Sequence, residues 1–77
     1  MPRRVYARVV HTNEVGLTLE LGPGSGFLPR WELRNPEAVD LSRLIGRTMR
    51  LYVIGRTSRH VLLSQLHPRA RRKRRAL

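Results

Sequence analysis

The residues with the clearest chemical purpose in this chain are its cations. Arg69, Arg71, Arg72, Lys73, Arg74 and Arg75 crowd the last nine of 77 positions, in a chain that sets 16 basic residues against five acids for a formal charge of +11. So dense a run needs an anionic partner. Neutralising phosphates with release of condensed counterions rewards clustered Lys and Arg, which puts nucleic acid first and an anionic membrane surface second. Every cation but Lys73 is an arginine, whose planar fork makes bidentate and stacked phosphate contacts that a lysine point charge does not. Interfacial membrane binding calls for a strongly apolar helix face beside the charge, and none accompanies this run, so no membrane partner is expected.

Catalysis has no comparable footing. His11, His60 and His67 have neither metal-ligand spacing nor cysteine companions. The acids Glu14, Glu20, Glu32, Glu37 and Asp40 are scattered and make no acid–base pair, and no nucleophile–base set or phosphate loop stands out. The expectation is a protein that is not an enzyme and takes no metal or cofactor. The lack of cysteine excludes a disulfide framework and suits a reducing compartment. No apolar run approaches the roughly 18 residues that span a bilayer. The start Met1-Pro2-Arg3-Arg4 also lacks the apolar stretch of a signal peptide. A cytoplasmic protein is expected.

The elements that must position these cations follow from apolar periodicity. Val5, Ala7 and Val9 alternate with Tyr6, Arg8 and Val10, and Leu17, Leu19 and Leu21 alternate with Thr18 and Glu20, the period of half-buried strands. Gly22-Pro23-Gly24-Ser25-Gly26 is dense turn chemistry leading into a short third strand at Phe27-Leu28. Asn35-Pro36-Glu37 has the residues of a helix start: a capping amide, proline at the first helical position and an acid in the first turn. Leu41, Leu44 and Ile45 would then share one helical face, with Gly46 ending the stretch in a left-handed conformation. Met49, Leu51 and Val53 point inward and Arg50, Tyr52 and Ile54 outward on a fourth strand. After a turn from Gly55 to Arg59, Val61 and Leu63 form a fifth, and Pro68 closes the domain. Five short strands with a helical insertion after the third predict a small closed all-β barrel, whose closure removes exposed edges. The barrel domain is placed at residues 1–68 and an arginine-rich extension at 69–77.

Six blocks along this chain resemble one family in order and spacing. They are Val15-Gly16-Leu17-Thr18-Leu19-Glu20-Leu21, the turn from Gly22 to Ser25, Gly26-Phe27-Leu28-Pro29-Arg30-Trp31-Glu32-Leu33, Ile45-Gly46, Met49 to Ile54, and Val61-Leu62-Leu63-Ser64. Together, from about Val5 to Leu66, they resemble the S-one domain, the RNA-binding repeat of the large ribosomal protein S-one, also found in polynucleotide phosphorylase and several ribonucleases. The resemblance implies a five-stranded oligonucleotide-binding (OB) barrel that binds single-stranded RNA across its second and third strands. The departures bear on mechanism. Val15 and Thr18 stand where the family often has two base-stacking phenylalanines, Pro29 where it has an RNA-contacting histidine, and Trp31 where it has a serine. Stacking on an aromatic ring is worth roughly 1–3 kcal/mol per base, so binding is expected to lean on phosphate charge and folded RNA shape, with strong salt dependence.

Candidate RNA-binding residues follow. Tyr6, Arg8, Arg50 and Tyr52 mix basic and aromatic character on outward strand positions. Thr18 keeps a family stacking position without the ring. Arg30, Trp31 and Arg34 surround the end of the third strand, where family members often contact RNA; Trp31 is expected first to cover the barrel end and, as the alternative, to stack on a base or ribose. Arg56 and Arg59 belong to the last hairpin turn. Phe27 is expected in the core. The tail cations are expected to be disordered and solvated when free, and to fold on RNA. The combined expectation is a monomeric, non-catalytic RNA-binding protein of bacterial translation, associated with ribosomal RNA and with ribosomal proteins as neighbours. The alternative is an adaptor that docks on a nuclease or RNA polymerase while the tail tethers RNA.

Overall fold

The computed structural model describes residues 3–37 and 40–76, with the side chains of 75 and 76 outside that description. Five strands appear in the expected order: β1 (Arg4–Asn13), β2 (Gly16–Glu20), β3 (Ser25–Pro29), β4 (Thr48–Arg56) and β5 (Val61–Ser64). They form a closed barrel in the order β1-β2-β3-β5-β4, an arrangement consistent with an OB-like barrel. β1 makes closure possible because it serves two neighbours. Its first half pairs with β4 from Arg4–Tyr52 to Arg8–Thr48, and its second half pairs with β2 from Arg8–Glu20 to Asn13–Gly16. A bulge between Val9 and His11 bends the strand between the two, as an extra residue in one strand does. β3 and β5 run parallel and complete the ring.

The inward positions fill it. Ala7, Val9, Leu17, Leu19, Leu28, Leu51 and Leu63 are buried in one cluster, joined by Leu33 and Leu41 from the segment between β3 and β4. The β1–β2 hairpin turns on Asn13, whose Oδ1 accepts from the Val15 and Gly16 N–H groups. Gly16 itself cannot be larger: a Cβ there would run into the Leu28 carbonyl oxygen and come within 2.9 Å of the Phe27 Cζ.

Between β3 and β4 the chain departs from expectation. Pro36 and Glu37 form a turn and start no described helix, while residues 38 and 39 lie outside the description. Two short 3₁₀ turns appear instead, at Arg30–Glu32 and Leu41–Leu44. The second is capped by Asp40, whose carboxylate accepts from the Ser42 N–H and hydroxyl. The hydroxyl bond above all, then the backbone bond, holds the Asp40 carboxyl below its usual range, with Arg43 adding to the effect. A 3₁₀ turn has three residues per repeat, so Leu41 and Leu44 share a side and Ile45 falls off it. Leu41 is buried, Leu44 packs on the core and Ile45 is 52% exposed, against the expected three-residue face. Gly46 does take a left-handed conformation at φ +89°, and its N–H donates to the Val9 carbonyl.

The largest correction concerns the C-terminal run. Residues Pro68–Ala76 form a helix, α1, where a disordered segment was expected, and Pro68 opens this element as its first residue. Proline suits that position because its missing N–H is one the helix leaves unbonded anyway. The His67 Nδ1 accepts from the Arg69 N–H at 3.1 Å, and the His67 carbonyl accepts the bond from the Arg71 N–H. Nine residues fall short of the roughly 12–15 that make an isolated helix stable in water, so docking must hold α1. Among the described residues no helix is long and apolar enough to cross a membrane.

Candidate nucleic-acid interface

The outward face of β1 and β4 gathers the first group of candidates. Tyr6 and Arg50 are direct cross-strand partners, Arg4 pairs with Tyr52, and Arg8 pairs with Thr48. Tyr6 is 69% exposed, so its ring is offered to solvent and not packed on the barrel. Arg8 stands across from Glu20 on its other side, with 3.8 Å between guanidinium and carboxylate and both groups well exposed. Such a loose surface pair leaves the arginine available to phosphate. Tyr6, Arg8, Arg50 and Tyr52 thus belong to one surface, and Arg4, which the sequence reading passed over, completes it. The alternation that placed Tyr6 outward also places Arg4 there, and that was the usable signal.

This surface runs on toward α1. The Tyr52 ring meets His67 edge-on, with centroids 5.3 Å apart, and His67 leads directly into the helix. Within α1 the six cations divide by helical position. Arg71 and Arg74 face the barrel. The Arg71 guanidinium grips Glu32 through both oxygens, Nε to Oε1 at 2.5 Å and a second nitrogen to Oε2 at 3.2 Å. Arg74 donates to the carbonyls of Trp31, Leu33 and Arg34 at 2.8, 3.1 and 3.2 Å. Glu32 is only 5% exposed, and such a buried carboxylate requires a charge-assisted partner. Two of the expected phosphate ligands therefore hold the helix to the first 3₁₀ turn. Arg69, Arg72 and Lys73, spaced i, i+3 and i+4, share the opposite exposed face. The side chain of Arg75 lies outside the described residues.

Around the first 3₁₀ turn, Arg30 is tied by its Nε to the Pro36 carbonyl at 3.0 Å. The Arg34 N–H donates to Gln65 Oε1 and its carbonyl receives Arg74, while the residue itself is exposed. Trp31 does not cover the barrel end: it is 61% exposed and edges a crevice of about 200 Å³ with Glu32, Leu66, Arg71 and Arg74. Arg56 and Arg59 lie elsewhere. Arg56 pairs with Val61 at the start of β5, whereas the first 3₁₀ turn meets the end of that strand through the bond from the Gln65 N–H to the Glu32 carbonyl, and α1 reaches the same turn through Arg71 and Arg74. The two hairpin arginines and the helix therefore occupy opposite ends of the barrel.

Phe27 is the second correction. It is half-buried, outside the core cluster, and flanked on the outer surface by its strand partners Thr18 and Leu62. Its ring tilts toward His60 at 6.3 Å between centroids, and Ser25 fixes that imidazole through a 3.0 Å hydrogen bond to Nδ1. The β2–β3 face thus carries one aromatic ring beside Thr18, together with a histidine that had been given no role. Among the described residues no group of acids and histidines is placed to hold a metal ion.

A scan of the chain against protein-family models finds no match, and a search among curated proteins finds none.

Proposed function

We infer that this protein is a non-catalytic RNA-binding barrel of the S-one type, associated with ribosomal RNA in bacterial translation. The observation that carries the reading is the convergence of Arg4, Tyr6, Arg8, Arg50 and Tyr52 on one outward face that adjoins α1 through His67. Cations separated by rings on a sheet suit a sugar–phosphate backbone with occasional base or ribose stacking. The exposed stripe of Arg69, Arg72 and Lys73 adds point contacts to phosphate on a scaffold whose inner face is already locked. On the β2–β3 face, Phe27 supplies one ring where the family often has two, enough for one stacked base at roughly 1–3 kcal/mol. Backbone contacts therefore outweigh base contacts, which favours folded RNA over an unstructured strand.

The test is sedimentation of the tagged protein through a sucrose gradient of bacterial lysate at two salt concentrations, with and without ribonuclease. Co-migration with a ribosomal subunit that is weakened by salt, and by the combined change Arg69→Glu, Arg72→Glu and Lys73→Glu, is the expected result. A position at the top of the gradient under every condition would overturn the ribosomal assignment.

A further inference from the structure

Among the described residues, nothing covers the end of the barrel away from α1. At the α1 end, Arg71 and Arg74 tie the helix to the first 3₁₀ turn, and Leu33 of the adjoining segment joins the core. At the opposite end, Val5, Leu21, Val53 and Val61 are only partly buried against the same core. With Pro23, Arg3 and Arg56 they line a concavity of about 280 Å³. The walls are aliphatic and the rim is cationic. Both arginines are exposed, and among the described residues neither guanidinium has an acidic partner in an ion pair.

We propose that this mouth is a docking site for a segment of a partner protein in which one aliphatic side chain is flanked by carboxylates. The volume lies just below the range of about 300–1,000 Å³ typical of sites for drug-sized ligands, which suits a single inserted side chain. Burying a leucine-sized group there removes apolar surface of both partners from water. The two guanidinium forks are free to take up flanking carboxylates with the bidentate geometry arginine favours. A nucleotide fits less well, because among the described residues the wall offers no ring on which a base could stack and, apart from the rim arginines, no side-chain donor or acceptor for a base edge. The site is separate from the proposed RNA face: Tyr6, Arg50 and Tyr52 do not line it, and neither does any described side chain of α1. A chain that binds RNA on one surface and an acidic–aliphatic segment at its barrel mouth would bridge the two.

Amide chemical-shift mapping of the ¹⁵N-labelled full chain tests this, with an acetylated and amidated peptide carrying a central leucine between paired aspartates. The expected result is saturable shifts confined to Val5, Leu21, Val53, Arg56 and Val61. They should be absent with a central serine, and affinity should fall on the order of tenfold in the double variant Arg3→Glu and Arg56→Glu, in line with the sum of two exposed charge pairs. Both substitutions are on the surface, so the spectrum of the variant reports directly that the barrel is intact. Equal shifts from the leucine and serine peptides would reduce the effect to diffuse electrostatics and overturn the site. So would an uridine oligonucleotide that moves these amides when the leucine peptide does not. Nuclear Overhauser contacts from the Met1 side chain to Val53 and Val61 in the free protein would show that the chain fills its own mouth, with the same consequence.

Discussion

At the residue scale the decisive group is Arg71, because it makes a buried carboxylate tolerable. Removing one partner of a buried ion pair strands the other charge, at a cost of about 3–5 kcal/mol, while replacing both with apolar or neutral groups of similar volume is far milder. Arg71→Ala is therefore expected to lower the unfolding free energy by about 3 kcal/mol in urea titrations, with Glu32→Gln and Arg71→Met together recovering most of it. A single variant within the error of the parent would remove the latch from the account of the fold. Charge counting could not single out Arg71 among its neighbours, since its role depends on a glutamate 39 positions away. Phe27 was misplaced for a different reason, its place in a motif that fills the barrel in the family the chain resembles. In Gly26-Phe27-Leu28 the inward slot belongs to Gly26, where a Cβ would collide with a Leu63 methyl, and a glycine has no side chain to declare the phase of its strand. Leu28 did declare it, and alternation from that residue puts Phe27 outside.

At the element scale, alternation made β1, β2 and β4 legible, with Tyr6, Arg8, Arg50 and Tyr52 on the side they occupy. Helical periodicity failed between Asn35 and Gly46 because 3₁₀ turns have a different repeat and because Asp40, not Asn35, supplies the cap. α1 was illegible as a helix because its charges oppose it. Arg69 repels Arg72 and Lys73 on one face, each like-charge pair costing a few tenths of a kcal/mol, and its cations near the first turn oppose the helix dipole. That frustration is a handle. Binding an oligoanion along the stripe should relieve it, so the helical ¹³Cα secondary shifts of residues 68–74 are expected to rise on addition of inorganic tripolyphosphate. In the Arg74→Ala variant, which loses the bonds to three carbonyls, they should start lower and rise further. Shifts indifferent to the anion would separate the stripe from phosphate binding.

At the scale of the whole molecule, the proposed RNA surface joins the exposed cations of the β1–β4 face to those of α1. Arg4, Arg8, Arg50, Arg69, Arg72 and Lys73 could meet six phosphates, for which affinity should fall about 10³-fold between 50 and 200 mM salt. Fluorescence anisotropy of a labelled RNA hairpin measures this directly. A slope that reports only one or two released counterions would confine binding to a small part of the surface. The barrel also has a weak seam. Among the described residues β3 and β5 are in register only at Gly26–Val61 and Phe27–Leu62, whereas the other junctions carry longer ladders. Thermal fluctuation would part the ring there first, freeing the unsatisfied borders of β3 and β5. In a concentrated solution such borders zip onto those of another molecule, so the same short junction that completes the fold also sets the route by which it would be lost to domain-swapped dimers and aggregates.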